Sequence, residues 1–147
     1  MTMRAQRCNT TNLKKVLVDP NHVQTFKDLY RLQMELIEKI SIEKLLDLDQ
    51  CIIGQEDLSR KYRWLEHMID AMHNELEELR DWLPWKTWKT YKGYDFKKVE
   101  MEVKYEAIDL LHFLLEIFMI LRISPEELVK LYQSKNRQNH KRQERKY

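Results

Sequence analysis

The chain has 147 residues, 34% of them charged, a formal net charge of +2, and only 2 Gly and 3 Pro. That length suits a single domain with a real core, and so few turn-forming residues exclude an all-β fold, which needs many reversals. Cys8 and Cys51 have no C-x-x-C spacing, which excludes a disulfide framework or zinc finger. The N-terminus lacks a signal-peptide run, and no charge-free apolar stretch is long enough to span a bilayer. The expectation is a soluble cytoplasmic protein with no membrane partner.

Residues 1–18 are polar around Val16–Val18 and read as a loose N-terminus. Asp19-Pro20 has the form of an N-cap followed by proline at the first helical position. The helix so opened is expected to reach about Ile40, with Phe26, Leu29, Tyr30, Gln33, Leu36, Ile37 and Ile40 on one side. Gln33 is the polar exception there. It is either a boundary residue or an amide that hydrogen-bonds a ligand. Residues 41–53 continue this helix or form a short second one, and Gly54 punctuates it.

A long helix follows, in which Leu58, Tyr62, Leu65, Ile69, Met72, Leu76, Leu79 and Leu83 recur at steps of four and three, as in a bundle seam. At 100° per residue Glu75 falls on the edge of that seam, with Glu78 one step further round and Ala71 and Trp82 beside them. Glu77 and Asp81 point away. An unpaired carboxylate at a buried edge is costly, although many Glu-rich stretches are simply solvated. Pro84 stops the helix. Trp85-Lys86-Thr87-Trp88-Lys89 then offers flat rings and cations, suited to stacking on a base and neutralising phosphate or to capping the bundle with snorkelling lysines.

The next helix, about Phe96 to Leu121, is apolar nearly all round from Ala107 onward and should be buried on most sides. Its polar residues Glu106, Asp109, His112 and Glu116 share one face. Acidic groups placed together in a core raise one another's pKa and resist desolvation, and a divalent cation relieves both problems. Ser124-Pro125-Glu126-Glu127 is a capping box for a last helix with Leu128, Val129, Leu131 and Tyr132 inward. The basic, amide-rich tail, 134–147, reads as a frayed end, a flap over phosphates, or a nucleic-acid arm.

The architecture expected is all-α: one domain over 1–147, about five helices and a mobile basic tail. All-carboxylate ligands with one histidine nearby favour Mg²⁺, with Mn²⁺ as substitute, over zinc. Such a site suits nucleotide pyrophosphate hydrolysis. There is no Walker A sequence and no nucleophile elbow. A di-iron carboxylate bundle would need a second acid-histidine pair. An interaction module with a nucleic-acid-binding tail would leave the acidic face unexplained.

Together the E-x-x-E of Glu75 and Glu78, the P-W-K-x-W-K of Pro84 to Lys89, the E-x-x-D-x-x-H-F of Glu106 to Phe113, the Leu32-Gln33 pair and the tail residues Lys135, Asn136, Asn139, Arg142, Gln143 and Tyr147 stand in the order of a known family. The chain resembles the all-α dimeric dUTPases, within the MazG-like all-α nucleoside triphosphate pyrophosphohydrolases. The resemblance implies hydrolysis of dUTP to dUMP and pyrophosphate, with dUDP accepted by some members and dCTP as an alternative, and a homodimer. It implies that Glu75, Glu78, Glu106 and Asp109 bind Mg²⁺, one glutamate of the first pair also serving the attacking water. It further implies that Gln33 reads the base beside His112, and that Trp85 or Trp88 stacks on it near Lys86 and Lys89. Lys135, Asn136, Asn139, Arg142 and Tyr147 contact phosphates in this scheme. Three places depart from the family pattern: Leu36-Ile37-Glu38 where members carry Asn or Asp, Thr87 in place of an aromatic, and Lys146-Tyr147 in place of Gly-Tyr.

Overall fold

Apolar periodicity and side-chain caps build five helices in the computed structural model, which describes residues 26–144. They are α1 (Phe26–Lys44), α2 (Leu48–Ile53), α3 (Leu58–Asp81), α4 (Phe96–Ile120) and α5 (Pro125–Glu144). No strand occurs among the described residues, so the fold is an all-α bundle. The proposed helix start at Asp19-Pro20 and the N-terminal stretch 1–18 lie outside the described residues, as does Tyr147.

The starts of α3, α4 and α5 have local chemical causes. Asp57 accepts from the backbone N–H groups of Ser59 and Arg60 at 3.0 and 3.2 Å, Asp95 from Lys97 at 3.1 Å, and Ser124 from Glu127 at 3.1 Å, each satisfying amides with no partner inside the helix. α1 runs past its expected end at Ile40 and stops at Lys44, where Leu45 turns into the left-handed region at φ 53°. α2 ends at Gly54, whose extended backbone brings it so close to the Gln50 carbonyl that a Cβ would overlap it. The α1–α2 turn is held to α3 by Asp47, which accepts from Arg63 at 2.7 and 2.8 Å and from the Trp64 indole at 2.8 Å.

α3 and α4 form the most extensive helix pairing, and α1 and α2 close over them. Ile37, Leu48, Cys51, Trp64, Met68, Met119 and Ile120 make the core, with Tyr30, Met34, Leu65 and Phe113 packed against it.

Three expectations about burial are corrected. On α3 the buried residues are Trp64 and Met68, while Leu58, Tyr62, Ile69 and Leu76 of the expected seam are exposed. The helix is therefore turned by roughly a quarter of a revolution from the orientation its leucines suggest. On α4 burial is confined to Leu115, Glu116, Met119 and Ile120, and Met101 and Ile108 are exposed. On α5 Leu128 is half-buried, but Val129, Leu131 and Tyr132 face outward because this helix makes only limited contact, with α1.

Candidate active site

The turn of α3 that hides Trp64 and Met68 carries Ala71, Glu75, Glu78 and Trp82 along the same inward line, all half-buried. Opposite them α4 presents Glu106 and Asp109, also half-buried. One carboxylate oxygen from each of Glu75, Glu78 and Glu106 lies within 4.8 Å of the other two. Asp109 stands close enough for its charge to act on both Glu75 and Glu106. Burial first, then the charges of Glu78, Asp109 and Glu106, push the Glu75 carboxyl up to about 7. Burial also raises Glu106, against a lowering hydrogen bond from the Trp82 indole, 3.2 Å from its Oε1. Asn74 donates to Glu78 at 2.7 Å.

Among the described residues no Lys or Arg pairs with any of these four acids. Carboxylates gathered without a counter-charge repel one another and lose hydration. A hard divalent cation answers both costs, since Mg²⁺ takes carboxylate and water oxygens. This acidic cluster could therefore bind a metal ion.

Beyond Asp109 on the same face of α4 is a second polar group. Gln33, only 2% exposed, donates from Nε2 to Glu116 Oε1 at 2.6 Å, and its Oε1 lies 2.5 Å from His112 Nδ1. Burial lifts the Glu116 carboxyl to about 7, against the lowering effect of the Gln33 bond. Gln33 is thus no boundary residue. Both ends of its amide are engaged inside the protein. One turn earlier on α1, the Tyr30 hydroxyl is buried with no hydrogen-bond partner among the described residues.

In the turn after α3, Trp85 carries Arg80 over its ring at 4.4 Å and Lys86 at 4.9 Å, and meets Trp88 edge-on at 6.0 Å. Trp85 is 38% exposed and Trp88 74%. Lys86 is held by its backbone N–H bonding the Tyr91 hydroxyl at 3.1 Å, and Lys89 is exposed. Within the described residues α5 continues through Glu144, with Lys135, Asn136, Asn139 and Arg142 exposed along it.

The structure thus assembles Glu75, Glu78 and Glu106 with Asp109 adjacent, and joins Gln33 to His112. Among the described residues no hydrogen bond or ion pair joins the tail to that cluster. Trp82, bonded to Glu106, and Glu116, bonded to Gln33, are further polar groups at the site. Trp82 and Glu116 were visible in the sequence by their angular positions beside the acids, whereas the unpaired state of the Tyr30 hydroxyl has no sequence signal.

Comparison with known proteins decides the family. A family model described as dUTPase matches residues 25–124, which contain all four acids, Gln33, His112 and both tryptophans of the turn. The chain belongs to the all-α dUTPase family. Family membership makes it a hydrolase acting on nucleotides. Among curated relatives, it is 26% identical to the dCTP pyrophosphatase of Enterobacteria phage T4 over 140 residues, covering 92% of this chain and 72% of the relative. A dCTP pyrophosphatase of Enterobacteria phage LZ5 is 46% identical over 48 residues, 33% of this chain and 28% of the relative. A phage T4 DNA replication protein is 25% identical over 130 residues, and there the match spans 86% of this chain but only 29% of the relative. No solved structure matches significantly. No described helix is long and apolar enough to cross a membrane.

Proposed function

We propose that the protein is a Mg²⁺-dependent pyrophosphohydrolase of pyrimidine deoxynucleoside triphosphates, converting dUTP or dCTP to the monophosphate and pyrophosphate. The observation that carries this reading is the meeting of Glu75, Glu78 and Glu106 within 4.8 Å, without a counter-cation among the described residues, in a chain of this family. Dual substrate range is supported by the family description on one side and the dCTP pyrophosphatase relatives on the other.

Glu75, Glu78, Glu106 and Asp109 would hold the cation. Once bound, it supplies a water of lowered pKa and neutralises charge on the leaving phosphates. The chain's own residues do the rest. One glutamate of the Glu75–Glu78 pair aligns the attacking water and takes its proton as the oxygen bonds to the α-phosphorus. The bond from that phosphorus to the bridging oxygen breaks, and pyrophosphate leaves. Trp82 fixes the orientation of Glu106 through its indole N–H. Trp88, the more exposed of the turn's two rings, offers a face for the base. Lys86, Lys89, Lys135, Asn136, Asn139 and Arg142 supply donors for the phosphates.

A homodimer completes the proposal. Leu58, Tyr62, Ile69 and Leu76 leave an apolar stripe along one side of α3, the helix that carries two of the acids. A second copy of the same stripe is the simplest cover for it.

The test is pyrophosphate release from dUTP, dCTP, dTTP, UTP and dATP with Mg²⁺, with Mn²⁺ as substitute, and with EDTA as control. EDTA-sensitive turnover of dUTP or dCTP above the other three supports the assignment. Equal turnover of all five would keep the chemistry and remove the base preference. No turnover of any would refute the enzyme.

A further inference from the structure

The connection from α3 to α4 carries more aromatic and basic side chains than the acidic cluster uses. From Tyr91 to Lys98 the sequence reads Y-K-G-Y-D-F-K-K, with rings at Tyr91, Tyr94 and Phe96 and cations at Lys92, Lys97 and Lys98. Asp95, its one acid, is taken up as the cap of α4, accepting from the Lys97 N–H at 3.1 Å. The next acid along the chain, Glu100, is held by Lys104 at 2.5 Å. Lys92, Lys97 and Lys98 are exposed and make no ion pair among the described residues.

Local structure sets these groups side by side. The Tyr94 N–H donates to the Tyr91 carbonyl at 3.3 Å, and Gly93 takes φ 76°, a conformation that glycine adopts at little cost. The turn so closed places Lys92 at its tip and brings the two tyrosine rings to 6.5 Å, at 66° to one another. The Tyr91 hydroxyl is engaged by the Lys86 N–H at 3.1 Å. Tyr91, Tyr94 and Phe96 are 37%, 36% and 45% exposed, so all three rings keep area in contact with water. Neither stability nor the proposed chemistry accounts for the lysines. Lys97 and Lys98 stand in the first turn of α4, which holds no acid, and cations there oppose the helix dipole. Lys97 lies about half a revolution round α4 from Glu106, on the side away from the acidic cluster.

We infer that residues 91–98 form a binding surface for single-stranded nucleic acid, in which Tyr91, Tyr94 and Phe96 stack on bases and Lys92, Lys97 and Lys98 neutralise the phosphates between them. Flat rings interleaved with cations suit a single strand, since every base has a face and every linkage a charge. A duplex hides its base faces and would engage only the lysines. A lipid headgroup layer is the other anionic surface that rings and lysines suit. The stretch holds no aliphatic side chain to enter the acyl region, which favours the strand. The surface is separate from the acidic cluster, so the inference does not depend on the proposed hydrolysis.

The test is fluorescence anisotropy of a labelled oligo(dT) strand with the full-length protein, in EDTA so that no phosphate is held through a metal. The expected result is micromolar affinity at low salt, with a log–log salt slope of about −2 or steeper, since each of three neutralised phosphates contributes ~−0.7 on a single strand. Combining Lys92→Gln, Lys97→Gln and Lys98→Gln should weaken binding at least about tenfold and flatten the slope by about 2. Tyr94→Leu with Phe96→Leu keeps apolar bulk and removes two rings. It should weaken binding at least about fivefold at an unchanged slope. Circular dichroism should show unchanged helical content in both variants. The inference is overturned if the wild type does not bind the strand, or binds a duplex of the same length as tightly. It is overturned equally if the lysine variant keeps its affinity, or if the ring variant does, since charge alone would then explain the binding. Loss on deleting residues 135–147, with both loop variants unaffected, would place the strand on the tail instead. Co-sedimentation with vesicles of phosphatidylcholine and phosphatidylserine, without strand binding, would assign the surface to lipid and refute the strand.

Discussion

Glu75 is a carboxyl held near neutrality by its own fold, with burial the largest cause and three acidic neighbours adding to it. Its sign is that of a raised acid. The folded state keeps the proton up to about 7 whereas the unfolded chain releases it near 4.5, so folding loses stability as pH rises through that window. Glu106 and Glu116 are raised too and act in the same direction. Thermal melts of EDTA-treated protein should show Tm falling between these two pH values, and Mg²⁺ should restore much of the loss above them. A flat profile without metal would contradict the crowding of these acids. Glu75→Gln removes one contributor, so its metal-free melts should depend less on pH. In steady-state assays Glu75→Gln or Asp109→Asn should lower kcat by at least about a hundredfold while circular dichroism stays helical. Near-normal kcat in either would show that the metal is held elsewhere.

The α3 helix joins stability to the site because one rotation decides both. Turning Trp64 and Met68 into the core brings Glu75, Glu78 and Trp82 round toward α4, where the indole of Trp82 reaches Glu106. Trp82→Phe keeps much of the packing and loses that N–H. Isothermal titration should find Mg²⁺ affinity down about tenfold, in line with partners that orient metal ligands. Unchanged affinity would mean the indole bond is incidental. α5 is the opposite case. It touches the body mainly through α1, and its basic side chains Lys130, Lys135, Lys141 and Arg142 are exposed. Removing residues 135–147 should raise KM for the nucleotide several-fold and shift Tm little, because few apolar contacts are lost. Loss of folding on that deletion would make the segment structural.

At the scale of the whole molecule, the outward side of α3 is the unfinished part of the fold. Tyr62, the most exposed of its apolar residues at 60%, lies in line with Leu58, Ile69 and Leu76. A continuous apolar stripe of this kind favours association. Sedimentation should give twice the chain mass, and Ile69→Glu with Leu76→Glu should halve it. A wild-type monomer at micromolar concentration would leave the stripe to some other partner.

Much of this protein is written locally. The capping box at Ser124, the scarcity of glycine and the long periodic stretches determine an all-α chain and the approximate bounds of its last two helices. They do so because caps and periodicity act over a few residues. The E-x-x-E of Glu75 and Glu78 and the polar face of α4 were legible for the same reason: residues three or four apart on a helix share a face wherever that helix lies. The tertiary structure alone decided which side of each helix is inside. The leucines of α3 mark a surface that seeks apolar cover without saying whether the cover comes from its own chain or from another. Packing chose the face with Trp64, Met68 and Glu75 instead. The join of Gln33 to His112 and Glu116 was equally out of reach of sequence, since it spans 83 residues between Gln33 and Glu116 and depends on how α1 lies across α4. Local rules placed the acids on their helices, and packing brought them to face one another.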